Sequence, residues 1–264
     1  MRLTIRHHTE YRYDQPVPYA LQRLRLVPRN DAGQTVVNWS LDITGGLTEA
    51  RFVDGFGNEN WLVSARDGTD HLSIEATGVV DTIDTTGVLG ANRGPAPLWL
   101  YVGETPLSRP DDAIRALAEE TGGRGDLECL HALMERIADR IAYVPGSTHS
   151  ATTAAEALAG GQGVCQDHAH VFCAAVRSMG VPARYVSGYL YMDGTEQQVA
   201  SHAWAEAHVN GLGWVGFDCA NRMCPDDRYV RIAHGRDYAD ASPVSGIRFG
   251  HAEETLAVNI NVAQ

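Results

Sequence analysis

The chain is short of positive charge. Its 264 residues carry 21 arginine-plus-lysine side chains against 33 aspartates and glutamates, a formal net charge of −12 at pH 7. Affinity for nucleic acid comes from neutralising phosphates with basic groups, so a general nucleic-acid binder is excluded. The acidic residues are scattered and read as a solvated surface. Long apolar runs are missing too. None approaches the ~20 residues that span a bilayer, so no membrane partner is expected. The opening Met1-Arg-Leu-Thr-Ile-Arg-His-His alternates like a strand. It lacks the unbroken apolar run of a secretory signal, and a cytoplasmic location is expected. Cysteine is sparse. Cys129, Cys165, Cys173, Cys219 and Cys224 are odd in number and follow no framework spacing, so free thiols are expected. Gly160-Gly-Gln-Gly163 lacks the Lys-Ser/Thr of a P-loop and the spacing of a dinucleotide fingerprint, so no cofactor is expected. There is no internal repeat.

What is present is enough apolar sequence, 44%, to build a full core in one or two domains. The first part reads as β. Leu3, Ile5, His7, Thr9, Tyr11 and Tyr13 share one face of an opening strand. Further strands are expected around 21–27, 36–43, 50–54 and 60–65, between turn-rich breaks such as Asp54-Gly-Phe-Gly-Asn. Such spacing suggests an antiparallel sandwich or sheet. Gly87 to Pro110 reads as a connector. Ser108 is expected to cap a helix from Pro110 to about Glu120. A second helix runs from Asp126 to about Ile141, and Thr153-Ala-Ala-Glu156 is a capping box opening a third. A fourth starts at Cys165, with Ala169, Phe172, Cys173, Val176 and Met179 on the same face as Cys165, and stops at Gly180 and Pro182. Strands then cover 183–192, 202–209, 213–217, 229–234 and 256–262, the last with Leu256, Val258, Ile260 and Val262 inward. Helices followed by hairpin-linked strands make an α+β fold. The expected division is a β-rich N-terminal domain, residues 1–95, and a core, residues 96–264.

Cys165 stands where a glycine-rich turn, Gly160-Gly-Gln-Gly163, meets a helix. The positive end of the helix dipole favours a thiolate there, and the thiolate is the nucleophilic form. The first amides of a helix lack internal partners, so the Cys165 N–H can serve an oxyanion. Gln162 is a further candidate donor, or simply solvated. His202 opens the alternating segment Ser201-His-Ala-Trp-Ala-Glu-Ala-His-Val209, and Asp218 ends Gly213-Trp-Val-Gly-Phe-Asp218. A hairpin returns Asp218 toward His202, giving a cysteine, histidine, aspartate triad. Strand parity sets a condition. A regular four-residue loop over Asn210–Gly213 would turn Asp218 away from His202, so an odd loop or a β-bulge is required.

Other readings compete. A cysteine at a helix start is often only a small buried hydrophobe, and a strand histidine is often structural. His168 and His170 lie on the nucleophile helix, His208 on the hairpin and His149 before the third helix. Of these, His168 is the main rival base, though one turn along the same helix seldom gives attack geometry. Cys165, Asp167, His168, His170, Cys219 and Cys224 are metal-ligand types, yet none shows C-x-x-C or H-x-x-x-H spacing, so no metal is expected. Tyr185, Tyr189, Tyr191, Trp204 and Trp214 line a substrate groove or pack the sheet. Gly235-Arg-Asp-Tyr-Ala-Asp240 rims the site or is a surface turn.

Gly163-Val-Cys165-Gln-Asp-His-Ala-His, Gly180-Val-Pro-Ala-Arg-Tyr-Val-Ser-Gly-Tyr189, Ser201-His-Ala-Trp-Ala-Glu206 and Gly213-Trp-Val-Gly-Phe-Asp218 resemble the bacterial transglutaminase-like proteins of the papain-like cysteine superfamily. Gly235 to Asp240 joins the match, and the first third resembles the β-rich domain that accompanies this core. The resemblance implies a papain-like or transglutaminase-like core with its nucleophile at a helix N-terminus, packed on an antiparallel sheet. It implies Cys165 as nucleophile, His202 as base and acid, and Asp218 as orienting carboxylate. It implies acyl-enzyme chemistry on a peptide or glutamine-type amide of a peptide or protein substrate. Water as acceptor gives a protease or amidase, the first choice; an amine gives a transglutaminase. A catalytically silent peptide-binding scaffold is the alternative of another class. The family continues Phe-Asp-Pro-Thr-Asn where this chain has Phe217-Asp-Cys-Ala-Asn221, which bears on the loop beyond Asp218.

Overall fold

The computed structural model describes residues 1–66 and 68–264. Its first part is β, as the alternation predicts. β1 (Arg2–Tyr13) buries Leu3, Ile5, His7, Thr9, Tyr11 and Tyr13 and exposes most of the residues between. β2 (Tyr19–Leu24), β3 (Gln34–Thr44), β4 (Gly46–Val53) and β5 (Glu59–Ala65) follow. β6 (His71–Thr82) is a strand the sequence reading does not single out, although it alternates cleanly. It is an interior strand, pairing with both β1 and β3. Gly78 interrupts its β-branched texture, and a Cβ there would lie 2.4 Å from Asn38 O and from the Trp39 ring.

β7 (Val88–Gly90) and a 3₁₀ turn over Leu98–Val102 sit inside the expected connector. α1 (Asp112–Glu120) is capped by Asp111, whose side chain accepts from the Ile114 N–H. The expected cap Ser108 is instead fully buried, bonded to Thr105 and accepting from Arg177 Nη1 at 2.6 Å. With two acidic caps near the start, the helix begins at the one whose backbone is extended just before it. α2 (Leu127–Arg140) is capped by Asp126 and followed by β8 (Ala142–Tyr143). α3 (Ala154–Gly160) carries the Thr153–Glu156 capping box and ends at Gly161, φ +62°. β9 (Gln162–Gly163) then pairs in parallel with β8.

α4 (Cys165–Ser178) is buried on nearly every side, not on one face. Helices pack around it, and β10 (Ala183–Leu190) and β12 (His202–Val209) lie beneath it, separated in sequence by β11 (Gln197–Gln198). Ala203, Ala205 and Ala207 form the β12 floor, small enough to let the helix approach. β13 (Gly213–Phe217), β14 (Tyr229–Gly235), α5 (Tyr238–Ala241), β15 (Val244–Phe249) and β16 (Glu254–Ala263) complete the chain.

The core sheet has the order β14-β10-β12-β13-β7. Two further sheets, β11-β16-β1-β6-β3 and β15-β2-β5-β4, form the β-rich part. Both receive strands from the C-terminal end, so a linear cut near residue 95 runs through shared sheets. Leu3 and Ile5 of β1, Val63 of β5 and Ile232 of β14 belong to one apolar cluster, which joins the β-rich part to the outer face of the core sheet. On β16 Ile260 and Val262 are buried and Val258 half-buried, but Leu256 is 52% exposed, because the inward alternation fades toward that end of the strand. Among the described residues no helix is long and apolar enough to cross a membrane.

The β12–β13 turn is tight. Gly213 has φ +81°, and a Cβ there would fall 2.1 Å from Gly90 O, whereas Gly211, φ +82°, has open space. Gly213→Ala should therefore destabilise the protein by about 2–4 kcal/mol, since both backbone strain and a backbone clash oppose it. Gly211→Ala should lose only about 1–2 kcal/mol, the left-handed penalty alone. Urea denaturation of both variants checks this; equal losses would contradict it.

Candidate active site

The nucleophile position is built by local sequence. Gly161 ends α3 in the left-handed region, β9 carries the chain beside β8, and Val164 is extended before α4 begins. Asp167, in the first turn, accepts from the Val164 N–H at 2.8 Å and from Thr148 Oγ1 at 2.6 Å. Gly163 must be glycine, because a Cβ would meet the Asp167 side chain at 2.7 Å. These contacts hold the turn against the helix start and leave Cys165 8% exposed. Burial pushes the Cys173 thiol up to about 11 and raises those of Cys219 and Cys224, so these three are neutral at pH 7.

The hairpin meets the parity condition. Val209 pairs with Gly213, leaving a loop of three residues, Asn210–Leu212. Ala205 lies opposite Phe217, so Asp218 takes the parity of His202 and Trp204 and shares their face. His202 Nε2 lies 2.6 Å from Asp218 Oδ2. The same oxygen accepts from Asn221 Nδ2 at 2.7 Å and from the Tyr229 hydroxyl at 2.8 Å, while Oδ1 accepts from the Asn221 N–H at 3.2 Å. Burial opposes a charge on His202, but its hydrogen bonds to Asp218 and Cys165 and the charges of both raise its pKa to about 10. Burial likewise opposes the Asp218 carboxylate, and the His202, Asn221 and Tyr229 contacts overcome it and hold its pKa below the ordinary value. With Nε2 committed to Asp218, Nδ1 is the ring nitrogen left for the sulfur.

Three contributors escaped the sequence reading. Tyr229 begins β14 and carried no motif. Asn221 ends the Phe217–Asn221 segment, whose departure from the family pattern lies in the two residues before it. The loop lacks the family's Pro-Thr, yet it is closed by two backbone bonds between Asp218 and Met223 and tied to α2 by Arg222, which pairs with Glu135 and Asp139. Tyr143, on β8, is half-exposed beside the site; burial and then the charges of the neighbouring Cys165 and Asp218 raise its pKa to about 12, so the phenol is a neutral donor. A tyrosine 22 positions before the cysteine gives no local signal of this, since only the parallel β8–β9 pair brings them together.

The rival histidines are engaged elsewhere. His168 has Nδ1 2.9 Å from Val164 O and Nε2 3.0 Å from Ile141 O. His170 accepts from the Tyr238 N–H, and burial lowers its pKa to about 3. His149 accepts from the Ala151 N–H, and His208 packs edge-on against Trp214. Gln162 is exposed on β9. Tyr185, Tyr189, Trp204 and Trp214 are buried in the sheet's packing, with Trp204 stacked beside His202 at 6.2 Å, and Tyr191 is half-buried against the β-rich cluster. The segment Gly235–Asp240 is structural: Asp237 caps α5, Arg236 pairs with Asp240, and Arg236 O accepts from Arg177. Among the described residues no three His, Cys, Asp or Glu side chains converge as a metal shell.

Comparison with known proteins places these features in context. The family model described as transglutaminase-like superfamily matches residues 115–219, and that for the bacterial transglutaminase-like N-terminal region matches residues 3–81. An uncharacterized protein of Mycobacterium bovis is 31% identical, the alignment covering 97% of this chain and 90% of that protein. One of Mycobacterium leprae is 27% identical over 100% of this chain and 99% of that protein. A solved protein of Cytophaga hutchinsonii, described as a candidate cysteine protease, is 26% identical with a TM-score of 0.76, covering 100% of this chain and 91% of that one.

The raised pKa of His202 makes a stability prediction. Protonation favours the folded state, so the stabilisation is complete below pH 6.5, the ordinary value, and is lost as pH rises toward about 10. Urea denaturation of the parent and His202→Gln should show a difference in stability that is constant below pH 6.5 and shrinks between pH 6.5 and 10. A difference independent of pH would contradict the imidazolium–carboxylate pair.

Proposed function

The chain belongs to the transglutaminase-like superfamily, and we propose that it is a cysteine-dependent acyl-transfer enzyme that hydrolyses peptide or glutamine-type amide bonds. One observation carries this reading. An imidazole bonded at 2.6 Å to a buried carboxylate faces a thiol at a helix start, with its pKa raised to about 10. A protonated His202 at neutral pH is the partner that a cysteine thiolate needs.

In this mechanism the Cys165 thiolate attacks the amide carbonyl carbon. The oxyanion that forms accepts from the Cys165 N–H and the neutral Tyr143 hydroxyl. His202 passes its Nδ1 proton to the departing nitrogen as the C–N bond breaks, leaving a thioester on Cys165. Neutral His202 then takes a proton from water. The hydroxide adds to the thioester, the C–S bond breaks, and the acid and the thiolate are released. Asp218 stays ionised, holding the imidazolium and fixing the ring. Asn221 and Tyr229 act through Asp218 and are positioning residues. Hydrolysis is the primary reaction because water is abundant and needs no second binding site.

Iodoacetamide labelling at pH 6 tests the nucleophile. An ordinary thiol is only about 0.3% ionised there, so Cys165 should be labelled roughly tenfold or more faster. The advantage should vanish in His202→Ala. With a peptide and glutamine-substrate library, Cys165→Ala should be inactive and His202→Ala slower by about 10²–10⁴-fold. Tyr143→Phe should lower kcat by roughly tenfold or more while labelling stays fast. Product formed only with added amine would reassign the enzyme to amine transfer. The chain has no lysine, so self-modification through a side-chain amine is ruled out and the Met1 amine is its only internal amine acceptor. Labelling no faster than a free thiol, with no effect of His202→Ala, would sink the enzyme reading in favour of a binding scaffold.

A further inference from the structure

The core sheet has two unlike faces. One carries alanines against α4. On the other, Arg184 of β10, Glu206 of β12, Trp214 of β13 and Arg231 of β14 face the β-rich part, where a cavity of about 520 Å³ opens beneath the β2–β3 and β7–Pro97 connections. That volume is in the range of small-molecule sites. Among the described residues its lining has four arginines, Arg29, Arg93, Arg184 and Arg231, against one carboxylate, Asp31. In a chain of net charge −12 this is a local reversal of sign.

The arginines are held in place. Glu206 is completely buried and accepts from Arg184 Nε and from Arg231 Nη2, each at 2.6 Å. Arg184 is further fixed over the Trp214 ring, 4.1 Å from its centroid. One carboxylate thus serves two guanidinium groups. Arg231 reaches Asp31 through Nη1 at 3.1 Å, yet its Nε is buried with no partner, as is Nε2 of the neighbouring His234. Arg29 and Arg93, at the mouth, form no ion pair among the described residues. Burial, then Arg184, Arg231 and Arg29, lower the pKa of His234 well below its ordinary value, an independent sign of positive potential. Glu206 and Asp31 balance Arg184 and Arg231, so the surplus positive charge is that of Arg29 and Arg93 at the mouth, which an anion in the cavity would neutralise. The planar guanidinium matches carboxylate and phosphate oxygens in paired hydrogen bonds and stays charged at any working pH.

We propose that this cavity binds a small oxyanion, a carboxylate or phosphate compound, on Arg184 and Arg231, with Arg29 and Arg93 at its mouth. The site is separate from Cys165. It lies across the sheet from α4, and Glu206 is four residues along β12 from His202, roughly 13 Å at the ~3.3 Å rise of a strand. The net charge of −12 on the whole chain disfavours a polyanion, which leaves a small anion as the ligand.

The test is titration calorimetry and thermal shift on the full chain with inorganic phosphate and with citrate, against sodium chloride at equal ionic strength. Saturable one-site binding of either probe is expected; which probe binds assigns the phosphate or the carboxylate class. Arg93→Glu, at an exposed position, should fold normally and weaken binding roughly tenfold, the effect of losing one charged contact. Arg29→Gln should weaken it too. Cys165→Ala should bind as the parent does, so the result stands apart from the proposed activity. No saturable binding beyond chloride, or equal binding by the Arg29→Gln/Arg93→Glu double variant, would overturn the proposal.

Discussion

The proposed site hangs on the parity of one hairpin. In a β-strand successive side chains point to opposite faces, so adding one residue to the β12–β13 loop would move Asp218 to the face away from His202. The three-residue loop Asn210–Leu212 keeps the two on one side. Gly213 makes that loop physically available, because its left-handed backbone sits against Gly90 with no room for a side chain. Once Asp218 is on the right face, the loop beyond it supplies Asn221, and β14 supplies Tyr229. Three donors then converge on one carboxylate oxygen and hold it ionised against its burial. The histidine's raised pKa follows from that carboxylate together with Cys165.

The cysteine depends on a second constraint, the burial of α4. A helix enclosed by α1, α2, α3 and the alanine floor of β12 cannot shift its N-terminus. Arg177 near its other end donates to the carbonyls of Tyr101, Ala183 and Arg236 and to Ser108 Oγ, anchoring the helix to the segments around it. The β8–β9 pair then brings Tyr143 near the start of α4. Each partner of Cys165 comes from a different element, and each element is braced by packing rather than by the site itself.

The β-rich part does more than precede the core. Strands β15 and β16 return to it from the C-terminal end, so both ends of the chain share its sheets. This closes the outer face of the core sheet and lets one layer serve two purposes, with His202 and Asp218 at one end and the arginine cavity toward the other. Trp204 and Glu206 lie between, on the same face of β12.

Much of this was legible from local chemistry. Capping residues mark α2 and α3 because their side chains satisfy helix amides within three residues. The strands at 202–209 and 213–217 and the Gly-to-Cys helix start follow from alternation and turn residues, and Cys165, His202 and Asp218 could be named from them. Where two acidic residues and a serine competed to cap α1, local chemistry was ambiguous, and the demand of Arg177 for a buried acceptor drew Ser108 inward. The all-round burial of α4, the interior place of β6 and the exposure of Leu256 depend on which surfaces meet, which periodicity does not encode. Loop length could be posed only as a condition, since Gly213 is either the last loop residue or the first strand residue until β7 docks on it. Residue types, the starts of α2, α3 and α4, and the candidate nucleophile were thus determined by sequence alone. Parity, the Tyr143, Asn221 and Tyr229 contacts and the arginine cavity were decided by the tertiary structure, because each joins segments distant along the chain or turns on a register that only packing selects.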